Sequence, residues 1–423
     1  LTLGGTISSS AGAAFNVAAG DLVLGQASGI VKVFANSTLT GNLVLGGPIR
    51  FDVNGSSTVS GPGAIKVVSS GALFSNTSGD LGGTITSEII LNSTGAAFTK
   101  GAWTGTTYTP STTFATTIGG TNGGTLSVNK LSGNSDVDIS NNSTTGGGTM
   151  TLTLTGVSTY TGNTTLSAGT LVAGSATFAF GGSGSSAGTL GLTGGILDAS
   201  VDATITNAIT FGSNLVFTGT ANLTQNNGVI NLGGASRTIT VNGSTLSLNG
   251  SVTSAGLGIT KAGAGALVLG GIVATTSGTV TVNAGSLRLS GVNTYTGGTT
   301  LAAGATLYAG NNSAFGTGAL TLNGGTLSSA SATAYTLANN TTVAGNLALG
   351  DGVNAGNLTL NGTVGLGTTV RSLTVSSGVN VTMNGVISGA LGGITKLGAG
   401  TLTLGGASAN TFTGATTLTA GTL

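Results

Sequence analysis

"GITKAGAG" at 258–265 and "GITKLGAG" at 393–400 put a lysine at the same point of one phrase, in a 423-residue chain that has only ten basic and nine acidic residues. The text around the phrase repeats too. "STYTGNTTLSAGTLVAG" (158–174) returns as "NTYTGGTTLAAGATLYAG" (293–310) and as "NTFTGATTLTAGTL" (410–423), and "RTITV" (237–241) returns as "RSLTV" (371–375). Tyr160 and Tyr295 lie 135 residues apart, as do Lys261 and Lys396, while Arg237 and Arg371 are 134 apart. Phe412 follows Tyr295 after only 117 residues. Units can therefore be gained or lost without destroying the pattern, which is how stacked repeats behave.

Segments such as "TMTLTLTG", "ALTLNGGTL" and "NLTLNGTV" alternate apolar and small polar residues and close on Gly or Asn-Gly. They read as short, half-buried strands. Glu, Lys and Arg, the charged helix formers, are nearly absent. Asn-Gly turns raise the rival of an antiparallel sandwich or barrel, but strand-turn units of roughly 20 residues with Gly and Asn at the corners favour a parallel β-solenoid. Residues 1–148 share the style without the super-repeat, 149–289 form its first full copy, and 290–423 form a second that runs into a third. The segment 87–114, with the only Trp of the chain, reads as a loop or short hairpin off the solenoid. Such loops carry recognition, and Trp103 and Tyr108 are the recognition candidates.

Composition removes several functions. Disorder needs low hydrophobicity and high net charge, whereas 39% of this chain is apolar and its net charge is +1. Scattered charges provide no basic stripe for nucleic acid. No apolar run is long enough for a transmembrane helix. The absence of Cys excludes disulfides and fits passage through an envelope. The chain opens on "LTLGG" without Met or a targeting segment and reads as an excerpt of a longer precursor.

Together, "ITKxGxGxLxLxG" and "NTYTGxTTLxAGTL", as in 259–297 and 394–423, resemble the autotransporter-associated β-strand repeat of secreted bacterial passenger regions. The resemblance covers 149–423. It implies an all-β, right-handed parallel β-helix on the surface of, or secreted from, a Gram-negative-type bacterium, with an outer-membrane β-barrel translocator elsewhere in the precursor.

No catalytic residue and no cofactor is expected. A serine triad needs a His, and the chain has none. Gly-x-Gly patterns recur without a Walker lysine or a Rossmann helix, so they read as turns. Glycoside hydrolysis needs two carboxylates about 5 to 9.5 Å apart. The close acid pairs are Asp136 with Asp138 and Asp198 with Asp202; the first is a weak candidate for Ca²⁺, beside the reading of both as solvated acids. Lys261 and Lys396 have no local acid to depress their pKa and read as caps on corner carbonyls, their stems covering apolar surface. Since Phe412 replaces the tyrosines, the ring rather than its hydroxyl is expected to matter.

The expected role is structural: a rigid stalk or fibre whose uncapped ends or low-charge walls pair with other copies, end-to-end or laterally. An adhesin whose loops bind a surface glycan or protein is the alternative. An ice-binding solenoid, suggested by Thr149, Thr151, Thr153 and Thr155, and a carbohydrate-active enzyme come after these; no Thr array is expected to persist over successive coils.

Overall fold

The computed structural model describes residues 150–182 and 187–423 and, in the first 149, residues 7–8, 21–25, 29–33, 36–46, 49–53, 57–67, 73–75, 83–85, 87, 89–91, 99–104, 107–114, 116–118, 124–134 and 136–139. Among the described residues there are strands and no helix, and every strand pairing but one is parallel. This is a parallel β-solenoid. It divides into two units, Leu1–Asn227 and Gly228–Leu423.

In the first unit the chain visits three walls in turn. One coil runs through Asn42–Gly46, Ile49–Val53 and Thr58–Ser60, and the next begins at Ile65–Val67, stacked on Asn42–Gly46. In the second unit one coil runs through Thr341–Val343, Leu347–Leu349 and Leu358–Leu360 before Val364–Gly365 returns to the first wall. Register partners in the second unit lie between 19 residues apart, at Val280 and Thr299, and 26, at Leu349 and Val375.

The commonest strand is three residues long, with its outer two side chains inward and the middle one outward, as in Leu358–Leu360 and Val280–Val282. That follows from the period of two in side-chain direction. Leu246, Leu267, Leu287, Leu307 and Leu327 thus stack directly, each fully buried, at about 4.8 Å per rung.

Copies of the sequence repeat do not share a wall. In the second unit Ile259–Ala262 pairs into the wall of Arg237–Val241 and Thr299–Leu301, whereas Gly393–Leu397 belongs to the wall of Val370–Val375 and Thr416–Leu418. The repeat length is not a whole number of coils, so each copy starts one wall further round. The motif is a local device for turning a corner, indifferent to which wall it serves.

Because each rung contacts only its neighbours, damage to the core is read directly as stability. Leu287→Ala is expected to cost about 2–5 kcal/mol in urea unfolding, and Thr281→Ala, on the outer face, less than about 0.5 kcal/mol.

Candidate functional site

Lys261 follows the inward parity of Ile259 and is fully buried. Its Nζ donates to the carbonyls of Ala262 and Gly263, at 2.7 Å each, and to that of Ala284 in the next coil at 3.2 Å. Lys396 repeats this with Leu397 and Gly398 at 2.8 Å and Ala420 at 3.0 Å. Three ammonium protons meet three acceptors. The glycine two residues on completes the corner: Gly263 has φ +78 and a Cβ there would lie 2.3 Å from the Val241 carbonyl oxygen, and at Gly398 the values are +77 and 2.2 Å from Val375. Lys-x-Gly is therefore a closed turn with its own internal clamp. Burial pushes the Lys261 amine down to about 8 and lowers that of Lys396.

Arg237 and Arg371 sit one coil before these lysines, paired in register with Ile259 and Ile394. Each ties down the chain entering its own strand, Nε donating to the Leu232 carbonyl at 2.7 Å and to the Leu366 carbonyl at 3.3 Å.

Tyr160 and Tyr295 are fully buried, and here the hydroxyl does take part. It bonds to Thr164 at 2.5 Å in the first and to Thr299 at 2.6 Å in the second, both threonines buried. A ring this deep needs a partner for its hydroxyl, and the threonine four residues on, the first residue of the next strand, supplies it. Phe412, on a half-buried site, has Thr416 in the corresponding place. The Tyr…Thr spacing was present in the phrases all along. Burial raises the pKa of both tyrosines well above the ordinary value.

The acids hold backbone. Asp136 accepts the Asn163 N–H at 2.6 Å, Asp198 the Thr220 N–H at 2.9 Å and Asp202 the Asn222 N–H at 2.9 Å, each from the following coil. Asp138, buried, accepts from the Ser167 hydroxyl. Asparagine does the same at other corners, as Asn340 does for the Thr363 N–H at 3.0 Å. These carboxylates stand where asparagine stands elsewhere, as caps on the next rung.

Segment 87–114 divides in two. Ile89–Leu91 is an ordinary rung, parallel to Ile65–Val67 and Leu131–Gly133. Thr99–Thr104 and Thr107–Phe114 form the one antiparallel pair among the described residues, with Trp103 opposite Tyr108. The two recognition candidates thus share a register position in a hairpin inserted between the solenoid strands Ile89–Leu91 and Thr116–Ile118.

Two features escaped the sequence reading. The middle residues of six successive strands stack as Thr238, Thr260, Thr281, Thr300, Thr321 and Thr342, a single-file threonine column on one wall of the second unit. Thr149, of the four threonines singled out earlier, lies outside the described residues, and Thr151 pairs with Thr125 and Thr170. On another wall of the second unit, Val268, Arg288 and Tyr308 stack beside a turn at 351–354.

Four stretches match the family model of the passenger-associated-transport-repeat: residues 144–173, 259–289, 284–309 and 394–423. The chain carries passenger-associated transport repeats. Comparison with curated proteins and with solved structures gives no match. Passenger-associated transport repeats on a β-solenoid fit an autotransporter passenger, and they imply secretion or surface display in Gram-negative bacteria, with a translocator β-barrel in the precursor. Two of the four matched repeats, 259–289 and 394–423, open on the lysine corners.

The lysines and tyrosines set opposite pH dependences. Lys261 titrates near 8 when folded and near 10.5 when unfolded, so between these values the unfolded chain binds more protons and stability rises with pH. The tyrosines have folded pKa values raised above 10, so their contribution is present below pH 10 and lost above it. The unfolding free energy in urea is expected to rise from pH 8 to 10 and then fall, with the rise suppressed in Lys261→Met/Lys396→Met.

Proposed function

We propose that this chain is a structural segment of a surface-displayed or secreted passenger: a stiff, chemically quiet stalk that works without catalysis. The observation that carries this reading is how the polar and charged side chains inside and at the corners are used. The buried amines cap carbonyls of their own corners, and Asp136, Asp198 and Asp202 hold the N–H groups of the next coil, which leaves them engaged in the scaffold. The outward column of threonines on one wall adds an uncharged surface with the period of the rungs, suited to lateral contact with the same wall of a second copy.

Electron microscopy of the secreted passenger is the direct test. Separate straight rods of constant width support the stalk, and bundled or continuous filaments support self-association on top of it. Compact particles without an axis would exclude both.

An adhesin is the second reading, favoured by the hairpin Thr99–Thr104 with Thr107–Phe114, which departs from the otherwise parallel plan and pairs Trp103 with Tyr108. Deleting 99–114 is expected to abolish saturable binding of the passenger to target cells while leaving the β-sheet circular dichroism and thermal unfolding in place. Binding that survives the deletion would rule out the hairpin as the recognition element.

A further inference from the structure

We infer that the wall of the second unit carrying Val268, Arg288 and Tyr308 holds a binding subsite for a carboxylate-bearing sugar residue of an extracellular polysaccharide. Register stacks the three outward side chains on consecutive rungs, about 4.8 Å apart, and they border an open groove of about 180 Å³ lined also by Ser286, Ala330 and Asn354. That is room for one sugar ring.

Each part of the groove matches one part of such a ligand. Arg288 is exposed, and its Nε is fixed by the Ser290 hydroxyl at 3.0 Å. It pairs with no carboxylate among the described residues. The remaining guanidinium N–H groups form a planar fork suited to a carboxylate. Tyr308 and Val268 offer an apolar face to the C–H side of a pyranose, and Asn354 and Ser286 offer hydrogen bonds at the rim. The acid close by does not compete for the arginine. Asp351 accepts the Val353 N–H at 3.0 Å, the Asn354 N–H at 2.7 Å, the Asn354 amide at 2.8 Å and the Tyr308 hydroxyl. This network holds Tyr308 and Asn354 in place before any ligand arrives, which lowers the entropic cost of binding. In agreement, burial and the adjacent Asp351 push the Tyr308 phenol up to about 12, so it stays a donor to that carboxylate. Asp351 is thus a positioning residue and Arg288 the contact that selects for charge.

The subsite does not depend on the stalk reading, since rods in the microscope and sugar binding in solution are separate measurements. The test is calorimetric titration of the passenger with oligogalacturonate, with a neutral malto-oligosaccharide of equal length and with inorganic phosphate. Saturable binding of oligogalacturonate alone is expected, weakened about tenfold or more by Arg288→Ala and less by Asp351→Asn. Both variants are to be checked for unchanged thermal unfolding; should Arg288→Ala unfold, Arg288→Lys, which keeps the charge but loses the fork, serves in its place and is expected to weaken binding too. Absence of saturable binding, equal binding of the neutral sugar, equal competition by phosphate, or an affinity unmoved by the arginine variants would overturn the assignment.

Discussion

Backbone must lie directly on backbone at every corner, and the rest of the structure depends on that close approach. A Cβ on Gly265 would sit 1.9 Å from the Gly243 carbonyl oxygen of the preceding coil, and one on Gly385 would sit 2.0 Å from that of Gly362. No side chain fits such a space, so glycine stacks on glycine, and 80 of the 423 residues are glycine. The tight corner also strands polar groups inside the coil, because carbonyls that turn inward cannot reach water. Lys261 and Lys396 answer that problem from within, Asn207 and Asn339 answer it with side-chain amides, and Asn340 and the aspartates answer it from the rim. The rare charges of this sequence are thereby explained one by one.

The plan of the molecule was legible in the residues. Period-two strands closed by Gly and Asn-Gly gave parallel coils, and the recurring Lys-x-Gly-x-Gly phrase marked a corner. The outward surface was not legible, and the reason is geometric. Coil length in the second unit varies from 19 to 26 residues, so residues that become neighbours on a wall have no constant separation in sequence. Thr260 meets Thr281 and then Thr300 at unequal steps, and the column emerges only once the register is known. The same holds for Arg288 above Val268 and below Tyr308. The tyrosine hydroxyl is a different case, since Tyr160 with Thr164 and Tyr295 with Thr299 are local pairs. Reading Phe412 as the decisive copy hid the role of the other two.

A sequence period out of step with the coil has a physical meaning. Were copies of the repeat obliged to lie above one another, a change in one coil's length would break every copy beyond it. Because the lysine corner works equally on the wall of Arg237–Val241 and on the wall of Val370–Val375, a coil can lengthen without disturbing the next motif. The selection implied by the pattern acts on each corner's own closure.

The inward lysines have a further consequence for survival outside the cell. An enzyme that cleaves after lysine must draw the side chain into its own pocket, yet Lys261 and Lys396 are enclosed by the carbonyls of their own turns and of the coil that follows. Neither bond can be presented until that coil peels away. Degradation by such an enzyme is therefore tied to unwinding, and the clamp that closes the corner also conceals the cleavage site.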